Sequence, residues 1–139
     1  MKRRPRSSVA GMATLKDVVF DCRHPASVAR FWATALDGYD VAPYDEEELA
    51  RLRAIGVDDP EDDPSVLVEA LDGGLPRLFF HRVPEPKTVK NRVHLDLRAA
   101  DREAEVARLI GAGASEVGRH EDWVVMADPE GNEFCVFPA

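Results

Sequence analysis

Two cysteines in 139 residues, Cys22 and Cys135, are too few for a disulfide framework and read as two reduced thiols. Basic residues are outnumbered, 18 Lys and Arg against 26 Asp and Glu, and the net charge of -8 excludes the basic stripe of a general nucleic-acid binder. No uninterrupted apolar stretch approaches the ~18 residues of a membrane span. The single basic cluster, Lys2-Arg3-Arg4-Pro5-Arg6, lacks the apolar segment of a signal peptide, so residues 1–13 read as a disordered tail. A phosphate loop, a CxxC pair and a Ser-His-Asp arrangement are missing too. These absences leave a cytoplasmic protein without nucleic-acid or membrane partners.

What is present is a core and a repeat. Hydrophobic residues make up 45%, enough for one globular domain or two fused half-domains. Lys16–Arg23 aligns with Asn91–Arg98; both are short apolar strands ending in Asp-x-Arg. A helix follows each. The first opens on His24-Pro25, with proline where its missing N–H does no harm, and carries the stripe Val28, Phe31, Trp32, Ala35. The second is acidic at its start (Asp101, Glu103, Glu105), which suits the positive end of the helix dipole, and would bury Val106, Leu109 and Ile110. Gly38 and Gly113 end the two helices, each 17 residues after the matching aspartate, Asp21 or Asp96. Those aspartates are expected to bond backbone groups where their helices begin.

Three strands follow each helix. In the first half they are Tyr39–Pro43, Val66–Leu71 and Arg77–Arg82; in the second, Ser115–Arg119, Trp123–Ala127 and Glu133–Phe137. The expected fold is therefore α+β, two βαβββ modules in tandem, residues 14–83 and 91–139, joined by a linker at 84–90. An insert at 44–64 carries a short helix, Glu46–Ile55, and an acidic loop, Asp58–Pro64, expected to be mobile because it offers little to bury. Asp128-Pro129-Glu130-Gly131-Asn132 is a turn signature, which places Glu130 in solvent.

Strand alternation sorts the side chains. Val93, Leu95 and Leu97 lie under the second helix, and Arg92, His94 and Asp96 face the other way, toward a groove. Glu133, Cys135 and Phe137 share that groove, with Arg77, Phe79 and His81 on the corresponding face of the first module. Trp123 is a candidate aromatic wall for a planar ligand, or alternatively a core residue. His24 and His120 belong to no constellation.

The strings Pro84-Glu85-Pro86-Lys87, Lys90-Asn91-Arg92-Val93-His94-Leu95-Asp96-Leu97 and Asp128-Pro129-Glu130-Gly131-Asn132-Glu133-Phe134-Cys135 resemble the glyoxalase-like branch of the vicinal oxygen chelate superfamily. The resemblance implies a curved mixed-sheet groove that binds a small molecule, and a homodimer. Metal enzymes of the superfamily draw ligands from the first and last strand of each module. By position, His94 and Glu133 match two of these ligands, Val19 stands at the third, and Arg77 or a close neighbour at the fourth. The implied cofactor is a divalent ion, weakly held by His94 and Glu133. The implied activity is that of a glyoxalase- or dioxygenase-type lyase or isomerase, with Glu133 as general base if no metal binds. The alternative is a protein that sequesters a drug or metabolite, as bleomycin-resistance members do.

Overall fold

The computed structural model describes residues 9–139. Residues 1–8 of the expected tail lie outside the described residues, and residues 9–13 are exposed. Eight strands, three α-helices and one 3-10 turn follow in the order β1 (Asp17–Cys22), α1 (Pro25–Ala35), β2 (Tyr39–Val41), α2 (Glu46–Ala54), the 3-10 turn (Pro60–Asp62), β3 (Ser65–Ala70), β4 (Arg77–Arg82), β5 (Leu95–Ala99), α3 (Arg102–Gly111), β6 (Ser115–Arg119), β7 (Val124–Ala127) and β8 (Glu133–Pro138). They form two four-stranded sheets, β1-β4-β3-β2 and β5-β8-β7-β6. In each, the first strand of the module pairs parallel with the last, and the remaining pairs are antiparallel. The tandem βαβββ architecture is the one the repeat predicts.

The helices form where the apolar stripes lie. Val28, Phe31, Trp32 and Ala35 of α1 are all buried, Trp32 to 1% exposure. In α3 only Val106 and Leu109 go under; Ile110 is 47% exposed, contrary to the sequence expectation, because it lies off the side that meets the sheet. Val93 is likewise exposed, at 75%. Strand β5 begins only at Leu95, so the alternation of the pleat does not extend back over Asn91–His94.

Neither Asp21 nor Asp96 caps a helix. Asp101 does so for α3, accepting from the Ala104 N–H at 3.0 Å. The start of α1 is held from the other module: the Glu130 carboxylate accepts from the backbone N–H of Arg23 at 2.6 Å and of His24 at 2.8 Å. Glu130 is thus half-buried and bonded rather than free in solvent, an arrangement the macrodipole of α1 favours.

One core runs through both modules. Phe134 of β8, fully buried, packs against Trp32 and Phe31 of α1 with ring centroids 5.1 and 5.9 Å away. Trp32 Nε1 donates to Asp128 Oδ2 at 3.0 Å. Asp128 is 3% exposed and also accepts from both nitrogens of Asn132 and from the Glu130 N–H. The turn at Asp128–Asn132 therefore organises its own backbone and locks α1 onto the second module at once.

The insert is tied down rather than loose. Asp45 caps α2, Leu52 is 1% exposed, and Asp63, 2% exposed, accepts from Tyr44 Oη at 2.7 Å and from the Ser65 N–H at 2.9 Å. Arg30 of α1 grips Glu61 through both guanidinium nitrogens at 2.6 and 2.8 Å. The acidic loop has more to hold it than its composition suggests: the bonds run to α1 and to a buried carboxylate.

Candidate ligand site

On the open face of the second module, Asp96 of β5 lies directly opposite Cys135 of β8 in the parallel register. Side chains two apart on these strands share a face, so Glu133, Cys135 and Phe137 line up across from Asp96. They border a hollow of about 370 Å³, completed by Lys90, His94, Trp123 and Val125. One wall is aromatic. Trp123 stacks with His120 at 4.5 Å and with Phe137 at 5.9 Å, the planes within 22° and 23° of parallel.

The opposite end is polar. His94 Nε2 lies 3.3 Å from Asp96 Oδ1, and one donor atom each from His94, Asp96 and Cys135 falls within a 4.8 Å span. Burial raises the Cys135 thiol above its usual range, helped by the charge of Asp96 and a hydrogen bond to it. The thiol is accordingly protonated at neutral pH and a poor nucleophile.

Glu133 is differently occupied. Its carboxylate accepts from Lys87 Nζ at 2.6 Å and from the Asn91 N–H at 3.0 Å. Burial alone would raise its pKa, but these bonds overcome that and hold it down to about 2, against an ordinary 4.5. Between those values the unfolded chain binds the proton and the folded one does not. The stability this pair contributes is therefore complete above about pH 4.5 and is lost as pH falls toward 2. Lys87→Met should raise the midpoint of acid unfolding followed by circular dichroism. An unmoved midpoint would show that the pair contributes nothing.

The structure brings the expected groove residues into separate places. His94, Glu133, Trp123, Cys135 and Phe137 share the second hollow, and His94 and Glu133 also border a narrow cleft of about 140 Å³ with Val19 and Asp21 of β1. Each has its own partner: Asp96 for His94, Lys87 and Asn91 for Glu133. Phe79 lines a first-module hollow of about 490 Å³ walled by the insert through Tyr44, Arg51 and Asp63. Arg77 is engaged by Asp17 at 2.8 and 3.2 Å and lies over the Phe79 ring at 5.2 Å. His81, half-buried, packs beside Phe79 at 5.5 Å. Arg92 stands exposed in the bend before β5, off the pleat that was expected to aim it at the groove.

The strand register also settles the fourth donor position. Val19 pairs with Phe79, as the position before Leu95 stands to the one before Phe134, so the counterpart of Glu133 is Phe79 and not Arg77. A metal at the superfamily's position would thus face Val19, Phe79, His94 and a carboxylate already neutralised by Lys87. Two carbon side chains and one engaged carboxylate do not make a site for a divalent ion, which normally takes three protein ligands.

Parity places Asp96 and Cys135 on the groove face, although the helix-start expectation gives Asp96 a backbone-bonding role that the structure does not show. The Lys87–Glu133 bond spans 46 residues and has no sequence signal. His120, without a constellation in the sequence, stacks on Trp123 from the turn before β7.

Residues 17–137 match the glyoxalase-like domain family, and the chain belongs to that family, within the glyoxalase/bleomycin resistance/dioxygenase, or vicinal oxygen chelate, superfamily. Among solved structures the chain is similar to a glyoxalase/bleomycin resistance protein/dioxygenase family enzyme from Burkholderia phytofirmans PsJN, with 18% identity, a TM-score of 0.61, and 91% of this chain and 98% of that one covered. It is also similar to the fosfomycin resistance protein FosX from Mesorhizobium loti (11% identity, TM-score 0.59, 94% and 92% covered). A glyoxalase/bleomycin resistance protein from Albidiferax ferrireducens T118 shows the same likeness (14%, 0.55, 90% and 98%). At these identities the likeness defines the fold. No curated protein sequence matches the chain. Among the described residues no helix is long and apolar enough to cross a membrane.

Proposed function

We propose that this protein binds a small planar molecule in the second-module hollow and sequesters it, working as a cytoplasmic homodimer. The observation that carries the reading is the stacked pair Trp123–Phe137, backed by His120 on Trp123, in one hollow with His94, Asp96, Glu133 and Lys90. An apolar wall with a few convergent polar groups is the usual composition of a small-molecule site. The ammonium of Lys90 at the border suits a ligand with an anionic group. Sequestration is favoured over the superfamily's metal-dependent turnover because, at that metal position, Val19 and Phe79 offer no donors. Glu133, held to about 2, is also too weak a base to take a proton near neutral pH. The weakly held divalent ion inferred for His94 and Glu133 therefore has no part in this reading.

A second reading, a lyase or isomerase, is favoured by one feature: the His94–Asp96 pair at 3.3 Å, which orients an imidazole toward the hollow as in acid–base sites. In it His94 moves the proton and Glu133 only positions the ligand.

Anilinonaphthalene sulfonate, a flat aromatic anion, is a suitable probe. It should bind saturably with one site per chain, and Trp123→Ala should weaken it at least about tenfold. Leu67→Ala, in the first-module hollow, should leave binding unchanged. Light scattering on the same sample should read the mass of a dimer. Equal weakening by both variants, or a monomeric mass, contradicts the corresponding part of the proposal.

A further inference from the structure

Two of the superfamily's donor positions hold carbon side chains and Glu133 is engaged, yet two other donors converge on His94, the remaining one. Asp96 and Cys135 are cross-strand partners in the parallel β5–β8 pair, and His94 lies two residues before Asp96, on the same side of the sheet. Three donors of three kinds are thus collected from two segments: carboxylate oxygen and thiol sulfur by the strand register, and imidazole nitrogen from the position just before β5. We propose that His94, Asp96 and Cys135 form a three-ligand site for a zinc-class divalent transition-metal ion, with its fourth position open toward the aromatic hollow.

Distance supports this. Tetrahedral ligation at normal bond lengths puts nitrogen and oxygen donors about 3.4 Å apart and sulfur about 3.6 Å from either. His94 Nε2 and Asp96 Oδ1 already stand at 3.3 Å, and all three donors lie within 4.8 Å of one another, so small rotations of two exposed side chains close the triangle.

Charge supports it as well. Ionised Asp96 and Cys135 together carry two negative charges, which match a dication and remove the cost of placing it beside the carbon walls of Trp123, Val125 and Phe137. A thiolate ligand selects against magnesium and calcium, and the mixed nitrogen, oxygen and sulfur set suits zinc. On binding, the Cys135 S–H bond breaks, sulfur keeps the electron pair and donates it to the metal, and the proton leaves to solvent. Glu133 stays outside the set, held by Lys87 and Asn91. The register shift is simple: the site moves along the strands from the Glu133 position to the Asp96–Cys135 pair.

The inference does not rest on the ligand reading above, because its probe is the metal alone. Chelator-treated protein titrated with cobalt(II) should take up one equivalent and develop a near-ultraviolet thiolate-to-cobalt charge-transfer band. Cys22→Ser should keep the band, since Cys22 lies on the helix side of the first sheet. Cys135→Ser should lose it. Asp96→Asn, at an exposed position where folding is not at stake, should weaken cobalt binding at least about tenfold. Absence of the band in the parent protein overturns the proposal, as does a band that survives in Cys135→Ser or an affinity unaltered in Asp96→Asn.

Discussion

Phe134→Ala is expected to destabilise the protein by about 3–5 kcal/mol, the cost of emptying a large aromatic site that neighbours cannot refill. Phe134 is fully buried and pairs in register with Leu95 and Met126. Its ring meets Trp32 and Phe31, which belong to the first module's helix. The cavity would therefore open at the seam between modules, where both would have to move to close it. Urea unfolding followed by circular dichroism checks this. A loss below about 1.5 kcal/mol at unchanged slope would mean that the seam repacks, and that the modules are less tightly fused than their shared core implies.

The second large effect is Asp128→Ala, expected to cost about 3 kcal/mol although the residue touches no ligand position. Its carboxylate accepts from Trp32 Nε1, the Glu130 N–H and both nitrogens of Asn132, and its removal orphans donors on Trp32 and Asn132, which are 1% and 7% exposed. An unpaired buried donor costs about 1–3 kcal/mol. Trp32→Phe removes one of those donors, so the double variant should lose less than the two single losses added together. Additive losses in urea unfolding would show that the Trp32–Asp128 bond is not a shared element of stability.

The two substitutions bear on what a sequence can and cannot display. The repeat, the helix stripe Val28–Phe31–Trp32–Ala35 and the paired strands around Asp21 and Asp96 were readable because periodicity and self-similarity are local properties, although β5 runs past Arg98 rather than ending there. The seam was not: Trp32 could be placed in a core by its stripe, but its bond to Asp128 crosses 96 residues. The same limit governs the site. Parity correctly set Cys135 and Phe137 on the open face with Glu133. It failed at Arg92 and Val93 because β5 starts at Leu95, two residues beyond Val93, and no residue type in that stretch marks the boundary. Glu130 looked like a turn residue facing water; only the second module's position against α1 makes it an acceptor for Arg23 and His24. Phe79, and not Arg77, opposes Val19 because the register of a parallel pair is set by the whole sheet.

The central claim is that the second-module hollow, with its stacked wall and polar end, is where this protein takes a small molecule. Amide chemical-shift mapping during titration with anilinonaphthalene sulfonate tests it most directly. The account predicts the largest saturable shifts at Val125, Cys135, Phe137 and the Trp123 indole, with Ser65, Leu67 and Phe79 of the first-module hollow nearly still. Shifts centred on Ser65, Leu67 and Phe79, or none that saturate, would contradict it.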